Sequence, residues 1–102
     1  MPLTKAATLH DLPAGTAKQV TINNRPFALF NVDGAFYAID DACTHRGASL
    51  AEGACRGTEV VCPWHGARFD LKTGAVLCAP ASRPVAAYKV EVSGEDLLVD
   101  VP

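Results

Sequence analysis

Two short stretches, Cys43-Thr44-His45-Arg46-Gly47 and Cys62-Pro63-Trp64-His65-Gly66, decide the fold and the chemistry of this chain. Each holds one cysteine, one histidine and a following glycine, and sixteen residues separate His45 from Cys62. A single cysteine or histidine is usually a packing or surface residue. Two matched pairs instead indicate a four-ligand metal centre, because two thiolates and two imidazoles can hold a metal ion or a small cluster.

Outside these stretches, short runs of alternating polar and apolar residues are separated by turn signals. Asn23-Asn24 and Asp33-Gly34 are two-residue hairpin signals. The expected strands cover residues 3–12, 18–22, 27–32, 35–39, 58–61, 68–71, 75–77, 86–92 and 97–101. A single helical turn is expected within residues 48–53. The pattern predicts an all-β antiparallel sandwich or small barrel, with residues 43–67 inserted as a metal-binding subdomain.

Length and composition set further limits on what the chain can be. The chain has 102 residues and a mass of 10.7 kDa, which predicts one domain over residues 1–102. A net charge of -2 argues against a nucleic-acid partner, which requires a basic surface. No apolar run approaches the roughly 20 residues that span a bilayer. The N-terminus lacks an apolar signal core, so a cytoplasmic protein is expected. In that compartment its four cysteines indicate metal binding or reactivity more than disulfides.

The order of the ligands separates two kinds of metal centre. Structural zinc accepts two cysteines and two histidines, but its motifs usually place two ligands of one kind close together. In this chain each stretch supplies one of each kind, as Cys-x-His and Cys-x-x-His. That arrangement suits a dinuclear cluster in which one iron takes both cysteines and the other takes both histidines.

On these residues the chain resembles the Rieske family, and in particular the small Rieske ferredoxins of bacterial aromatic-ring dioxygenases of the naphthalene and biphenyl type. CTHRG and CPWHGARFD carry the likeness, which extends to residues 35–40, 50–53 and 73–80 and to the closing hairpin. The resemblance implies a Rieske-like all-β fold and one 2Fe-2S cluster. Cys43 and Cys62 would bind the inner iron, His45 and His65 would bind the outer iron, and the segment around Pro80 would cover the cluster.

The same resemblance implies a function in electron transfer. A Rieske ferredoxin carries one electron at a time and is not an enzyme by itself. It takes electrons from an NAD(P)H-dependent flavoprotein, the ferredoxin reductase, and passes them to a terminal oxygenase through transient contacts. Two alternatives stay open. One is the small Rieske-like subunit of an assimilatory nitrite reductase, and the other is a zinc-stabilised interaction module.

Positions beside the ligands predict the reduction potential. Respiratory Rieske proteins carry a disulfide between the ligand segments, and a serine and a tyrosine whose hydroxyls donate to sulfur. The matching positions in this chain are Ala48 and Trp64 for the disulfide, and Ala67 and Phe69 for the hydroxyls. Fewer donors stabilise the reduced state less, so a potential on the order of -150 mV is expected, at the low end of the Rieske range.

Other residues that could bind a metal or a partner are expected to have simpler roles. Cys55 and Cys78 match no ligand position and are expected to be thiols in a reducing compartment. His10 is expected to have no role in the chemistry. Asp40 and Asp41 are expected to cap a turn before the first ligand stretch.

Overall fold

The strands among the residues that the structure describes lie in three small antiparallel sheets. The computed structural model describes residues 3–42, 49–63, 67–78 and 84–100. The predicted all-β antiparallel architecture is confirmed. In chain order, the strands of the described residues are β1 (Leu3–Thr8), β2 (Ala17–Ile22), β3 (Arg25–Val32), β4 (Ala35–Asp40), β5 (Ala54–Arg56), β6 (Glu59–Val61), β7 (Arg68–Asp70), β8 (Val76–Cys78), β9 (Ala87–Tyr88), β10 (Val90–Ser93) and β11 (Asp96–Asp100).

The central sheet has the strand order β2-β3-β4-β9, and two tight hairpins connect its first three strands. Asn23 and Asn24 have φ of 52° and 66°, while Asp33 and Gly34 have φ of 52° and 90°. Two successive residues with positive φ form the turn that matches the twist of paired strands, and Asn, Asp and Gly are the residues that tolerate it. Both predicted hairpins are therefore confirmed.

A second sheet, with the order β1-β11-β10, pairs strands from opposite ends of the described chain. β1 ends at Thr8, so the expectation of a strand continuing to Leu12 is wrong. The Asp11 carboxylate accepts hydrogen bonds from the Thr8 backbone N–H and hydroxyl, both at 3.1 Å. These bonds turn Leu9–Asp11 into a 3-10 helix and end the strand.

The single strand expected over residues 86–92 is divided between two sheets. β9 pairs with β4, and β10 pairs with β11. At the break, the Lys89 carbonyl accepts a hydrogen bond from the Asp100 N–H at 2.9 Å. Tyr88 and Val90 pack against the same core cluster although they belong to different sheets. Alternation therefore continues across the break, which is why the sequence pattern did not reveal it.

The third sheet, β5-β6-β7-β8, forms a compact unit between Ala54 and Cys78, so it extends past residue 67. The short strand β5 was not expected, because all three of its residues are exposed and show no alternation. The expected helical turn is confirmed as a 3-10 helix over Leu50–Glu52, immediately before this sheet.

The central sheet is buried on both faces. From β3, Ala28 and Phe30 pack towards the third sheet, whereas Phe27 and Leu29 pack towards the second sheet. Alternate side chains of a strand point to opposite faces, so one strand supplies both cores. The core facing the third sheet consists of Ala28, Phe30, Ile39, Leu50, Val60, Cys62, Ala67, Phe69, Leu71 and Val85, and we call it the upper core. It contains one of the predicted ligands.

Gly74 allows the backbone at Val85, which follows the segment that contains Pro80, to pack closely against the turn between β7 and β8. Its φ is +79°, and a Cβ at this position would overlap the carbonyl oxygen of Val85. The Val85 N–H donates to the Gly74 carbonyl at 2.9 Å, so the two backbones are held in close contact.

Gly74→Ala is expected to destabilise the protein by about 2–3 kcal/mol, because strain at positive φ adds to the steric overlap. Gly34→Ala is the matched control, since Gly34 has φ +90° but a Cβ added there would meet no atom within 4 Å, and it should cost about 1 kcal/mol. Unfolding midpoints of the two variants measure the difference. Equal midpoints would contradict the steric role of Gly74.

Candidate metal centre

The described residues on the two sides of the first predicted ligand segment meet each other. Ala42 and Ser49 form an isolated antiparallel bridge. Beside it, the Leu50 N–H donates to the Asp41 carbonyl at 2.7 Å. Residues 43–48, with Cys43 and His45, lie outside the described residues. Ligation by these two residues therefore stays a prediction. The paired flanks show where the segment that carries them begins and ends.

The second predicted ligand segment begins where β6 ends and finishes where β7 begins. The Cys62 N–H donates to the Ala67 carbonyl at 2.7 Å, which holds the two flanks of this segment together as well. Trp64 and His65 lie outside the described residues. Cys62 is the predicted ligand that the structure does describe, and its exposed fraction is 2%.

The side chain of Cys62 belongs to the upper core. Its companions there include Val60, Ala67 and Phe69, each 0% exposed. A thiolate is the form of cysteine that binds metals, and in water-excluded surroundings its charge needs a cation as compensation. A buried iron supplies that cation, so the Cys62 environment fits the sulfur-ligated iron of a cluster. Two thiolates and two imidazoles, the donor set of the two stretches, fit the same group.

Asp41 is the buried acidic residue beside the first ligand segment, with an exposed fraction of 2%. Its Oδ1 accepts hydrogen bonds from the Ser49 hydroxyl at 2.9 Å and from the Ala51 N–H at 3.0 Å. Its Oδ2 accepts a third hydrogen bond from Gln19 Nε2 at 2.6 Å. Asp41 therefore binds residues that follow the segment, instead of capping a turn before it.

Asp40, the preceding residue, holds a different part of the chain. Its Oδ2 accepts from the Ala86 N–H at 3.2 Å, and its Oδ1 accepts from the Tyr88 hydroxyl at 2.6 Å. Burial, followed by the hydrogen bond to Asp40, raises the pKa of Tyr88. Residues 79–83, with Pro80, lie outside the described residues, so the predicted cover over the cluster stays a prediction. Asp40 anchors the chain shortly after that segment.

Ala67 and Phe69 are the positions that the resemblance matches to the hydroxyl donors of the respiratory proteins. Both are 0% exposed and lie in the upper core with Cys62. Neither side chain has a hydrogen-bond donor, so neither can donate to a sulfur ligand in this core. Their burial beside Cys62 supports the expectation of a low reduction potential.

The remaining cysteines and the third histidine are placed differently from Cys62. Cys55 is exposed on β5 with its Sγ 3.4 Å from the Gly57 carbonyl oxygen, and partial burial raises the pKa of its thiol. His10 is an exposed residue whose Nε2 lies 3.3 Å from a carboxylate oxygen of Glu95. Cys78 ends β8, and its side chain lies outside the described residues. The expected minor roles of Cys55 and His10 stay predictions.

Comparison with known proteins gives this arrangement a family. The family model of the Rieske [2Fe-2S] domain matches residues 3–89. The ferredoxin component of the naphthalene 1,2-dioxygenase system of Pseudomonas aeruginosa is 38% identical over 96 residues, which cover 94% of this chain and 92% of that protein. The chain belongs to the Rieske [2Fe-2S] domain family.

Two solved structures are similar over almost the whole chain. The ferredoxin of carbazole 1,9a-dioxygenase from Nocardioides aromaticivorans IC177 has a TM-score of 0.91 and 33% identity, covering 97% of both chains. A chain of a complex of reduced oxygenase and oxidised ferredoxin in carbazole 1,9a-dioxygenase has a TM-score of 0.87 and 35% identity, covering 95% of this chain and 91% of that chain.

These matches confirm several predictions made from the sequence. The likeness to Rieske ferredoxins, the Rieske fold and a single Rieske 2Fe-2S cluster as the cofactor are confirmed. The role of an electron-transfer component, distinct from a catalytic one, is confirmed by the relatives, which are ferredoxins of oxygenase systems. Within the described ranges, no helix has the length and apolar character needed to cross a membrane.

Proposed function

We propose that Cys43, His45, Cys62 and His65 bind the 2Fe-2S cluster, and that residues 1–102 form one domain around it. The cysteines would hold the inner iron and the histidines the outer iron. The burial of Cys62 in the upper core is the observation that carries this assignment, because a water-excluded position suits a sulfur ligand of the inner iron. The paired flanks of both ligand segments support the assignment as well.

The residues of the chain determine how such a centre behaves. When bound, the cluster takes up and releases one electron. His45 and His65 are neutral ligands where a plant-type ferredoxin has thiolates, so the ligand set carries two fewer negative charges and an added electron is less unfavourable. The apolar residues around Cys62 exclude water from its sulfur. Ala67 and Phe69 have no hydroxyl group that could donate a hydrogen bond to that sulfur. The balance of these effects is a potential in the low part of the Rieske range.

This carrier would connect two larger proteins in the cytoplasm. We infer that it accepts electrons from an NAD(P)H-dependent flavoprotein reductase and delivers them to the terminal oxygenase of an aromatic-ring-hydroxylating dioxygenase system. The naphthalene ferredoxin component and the oxygenase–ferredoxin complex of carbazole dioxygenase support the oxygenase as a partner. Each contact should be small and short-lived, because one carrier must visit both proteins.

Reduction by a reductase tests this function. Protein purified in air is expected to be red-brown, to contain iron and no stoichiometric zinc, and to give a rhombic EPR signal after reduction. The reductase of the naphthalene or carbazole system, with NADH, should reduce it, and the reduced protein should support turnover by a ring-hydroxylating oxygenase. The same mixture without the carrier is the control. A colourless protein with stoichiometric zinc would instead identify a zinc-stabilised module.

A further inference from the structure

Asp41 has more hydrogen-bond contacts than a turn cap needs, and they connect three parts of the chain. Through Ser49 and Ala51 its carboxylate holds the residues that follow the first ligand segment. Through Gln19 it is joined to β2 in the central sheet. Its backbone carbonyl accepts from Leu50 as well, and Ala42, the next residue, pairs with Ser49. One residue therefore fixes both flanks of the segment relative to the central sheet.

We propose that Asp41 is a positioning residue for the cluster, which sets the separation and orientation of the two flanks of the segment that carries Cys43 and His45. This inference rests on the proposed ligand assignment. Asp41 lies two residues before Cys43, and its carboxylate reaches past the segment to Ser49 and Ala51. The two flanks of the segment are therefore joined by a side chain in addition to the backbone bridge.

The burial of Asp41 explains why the contacts should be rigid. A carboxylate that is 2% exposed has lost its water, so its oxygens depend on protein donors, and three such donors lie within 3.0 Å. Ser49 and Ala51 are half-buried, so removing the carboxylate takes this partner from two partly shielded donors and loses the contribution of both hydrogen bonds. Asp40 differs, because its side chain is 30% exposed and its partners are Arg25, Ala86 and Tyr88, none of which lies beside the first ligand segment.

Asp41→Ala tests the proposal by the stability of the cluster. In the presence of an iron chelator, the visible absorbance of the variant is expected to decay about tenfold faster than that of the wild type, because the unpaired donors favour opening of the first ligand segment. The EPR spectrum of the reduced variant is expected to broaden or shift, since the ligand geometry is no longer fixed. A wild-type decay rate together with a wild-type spectrum would overturn the proposal.

Asp41→Asn separates positioning from charge. The amide oxygen can still accept from Ser49 and Ala51, and rotation of the Gln19 amide lets its oxygen accept from the new side-chain NH₂. This variant is therefore expected to keep a near wild-type decay rate and spectrum. Asp40→Asn removes the same charge from the neighbouring position and should also leave both unchanged. If Asp41→Asn loses the cluster as fast as Asp41→Ala does, the faster decay results from the lost charge and not from lost hydrogen bonds, and the proposal fails.

Asn31→Ala controls for a general loss of stability. Asn31 is also buried, with an exposed fraction of 7%, and its side chain donates to Leu12 and accepts from Gly34, both at 2.8 Å. It should lower the unfolding midpoint without accelerating loss of the cluster. If it accelerates that loss as Asp41→Ala does, at a similar midpoint, the proposal is wrong. A colourless wild type would contradict the proposed function instead, so the two failures are distinguishable.

Discussion

Cys62→Ala is expected to yield a protein without a 2Fe-2S cluster, colourless as purified and silent in EPR after reduction. Cys62 is the predicted ligand on the buried side, where the side chains of the upper core carry no oxygen or nitrogen atom that could replace a lost sulfur. An iron bound by one thiolate where it needs two would be released. Iron analysis, visible absorbance and EPR of the purified variant measure the loss.

Cys55→Ala is the matched control for this substitution. It removes the same chemical group, but Cys55 lies on β5, is exposed, and has its Sγ 3.4 Å from the Gly57 carbonyl oxygen. The variant should keep the iron content, colour and spectrum of the wild type. Retention of the cluster in Cys62→Ala, or its loss in Cys55→Ala, would contradict the assignment of the ligands.

The double substitution Ala67→Ser with Phe69→Tyr is expected to raise the reduction potential on the order of 100 mV. Each new hydroxyl would lie in the upper core beside Cys62, where it can donate to a sulfur ligand. Donation favours the reduced centre because that state is more negative. Two hydrogen bonds of about 1–1.5 kcal/mol each correspond to this shift, since 59 mV is a tenfold change for one electron.

Spectroelectrochemical titration of the wild type and the variants measures that shift. The wild type should titrate on the order of -150 mV, at the low end of the Rieske range. Val99→Thr is the control, because it places a buried hydroxyl in the other core, where Val99 is 0% exposed. It should lower stability and leave the potential unchanged. An unchanged reduction potential in the double variant would show that residues 67 and 69 do not control the potential of the cluster.

The parts of this fold that depend on local chemistry were predictable from the sequence. Asn23-Asn24 and Asp33-Gly34 specify their hairpins, because few other residues adopt two successive positive φ values. The ligand stretches are also local, since each combines its cysteine and histidine within four residues. Their prediction as the ligands of a Rieske centre rests on the order of the ligands and on the resemblance of the surrounding motif to that family.

The features that the sequence did not reveal depend on contacts between distant residues. The hydrogen bond between Gln19 and Asp41 joins positions 22 residues apart, and nothing near either residue indicates the other. The break at Lys89 was hidden because Tyr88 and Val90 face one core from two sheets. β5 was missed because its exposed residues lack the alternation that marks a half-buried strand.

The pairing of β1 with β11 has a consequence for how the protein is made. Leu3 lies opposite Asp100, so the second sheet joins residues from the two ends of the described chain. The third sheet, by contrast, uses only neighbouring strands between Ala54 and Cys78. During synthesis the third sheet can form while β1 still lacks its partner, and contacts between distant residues form slowly. Completion of the fold therefore waits until the ribosome has released residue 100.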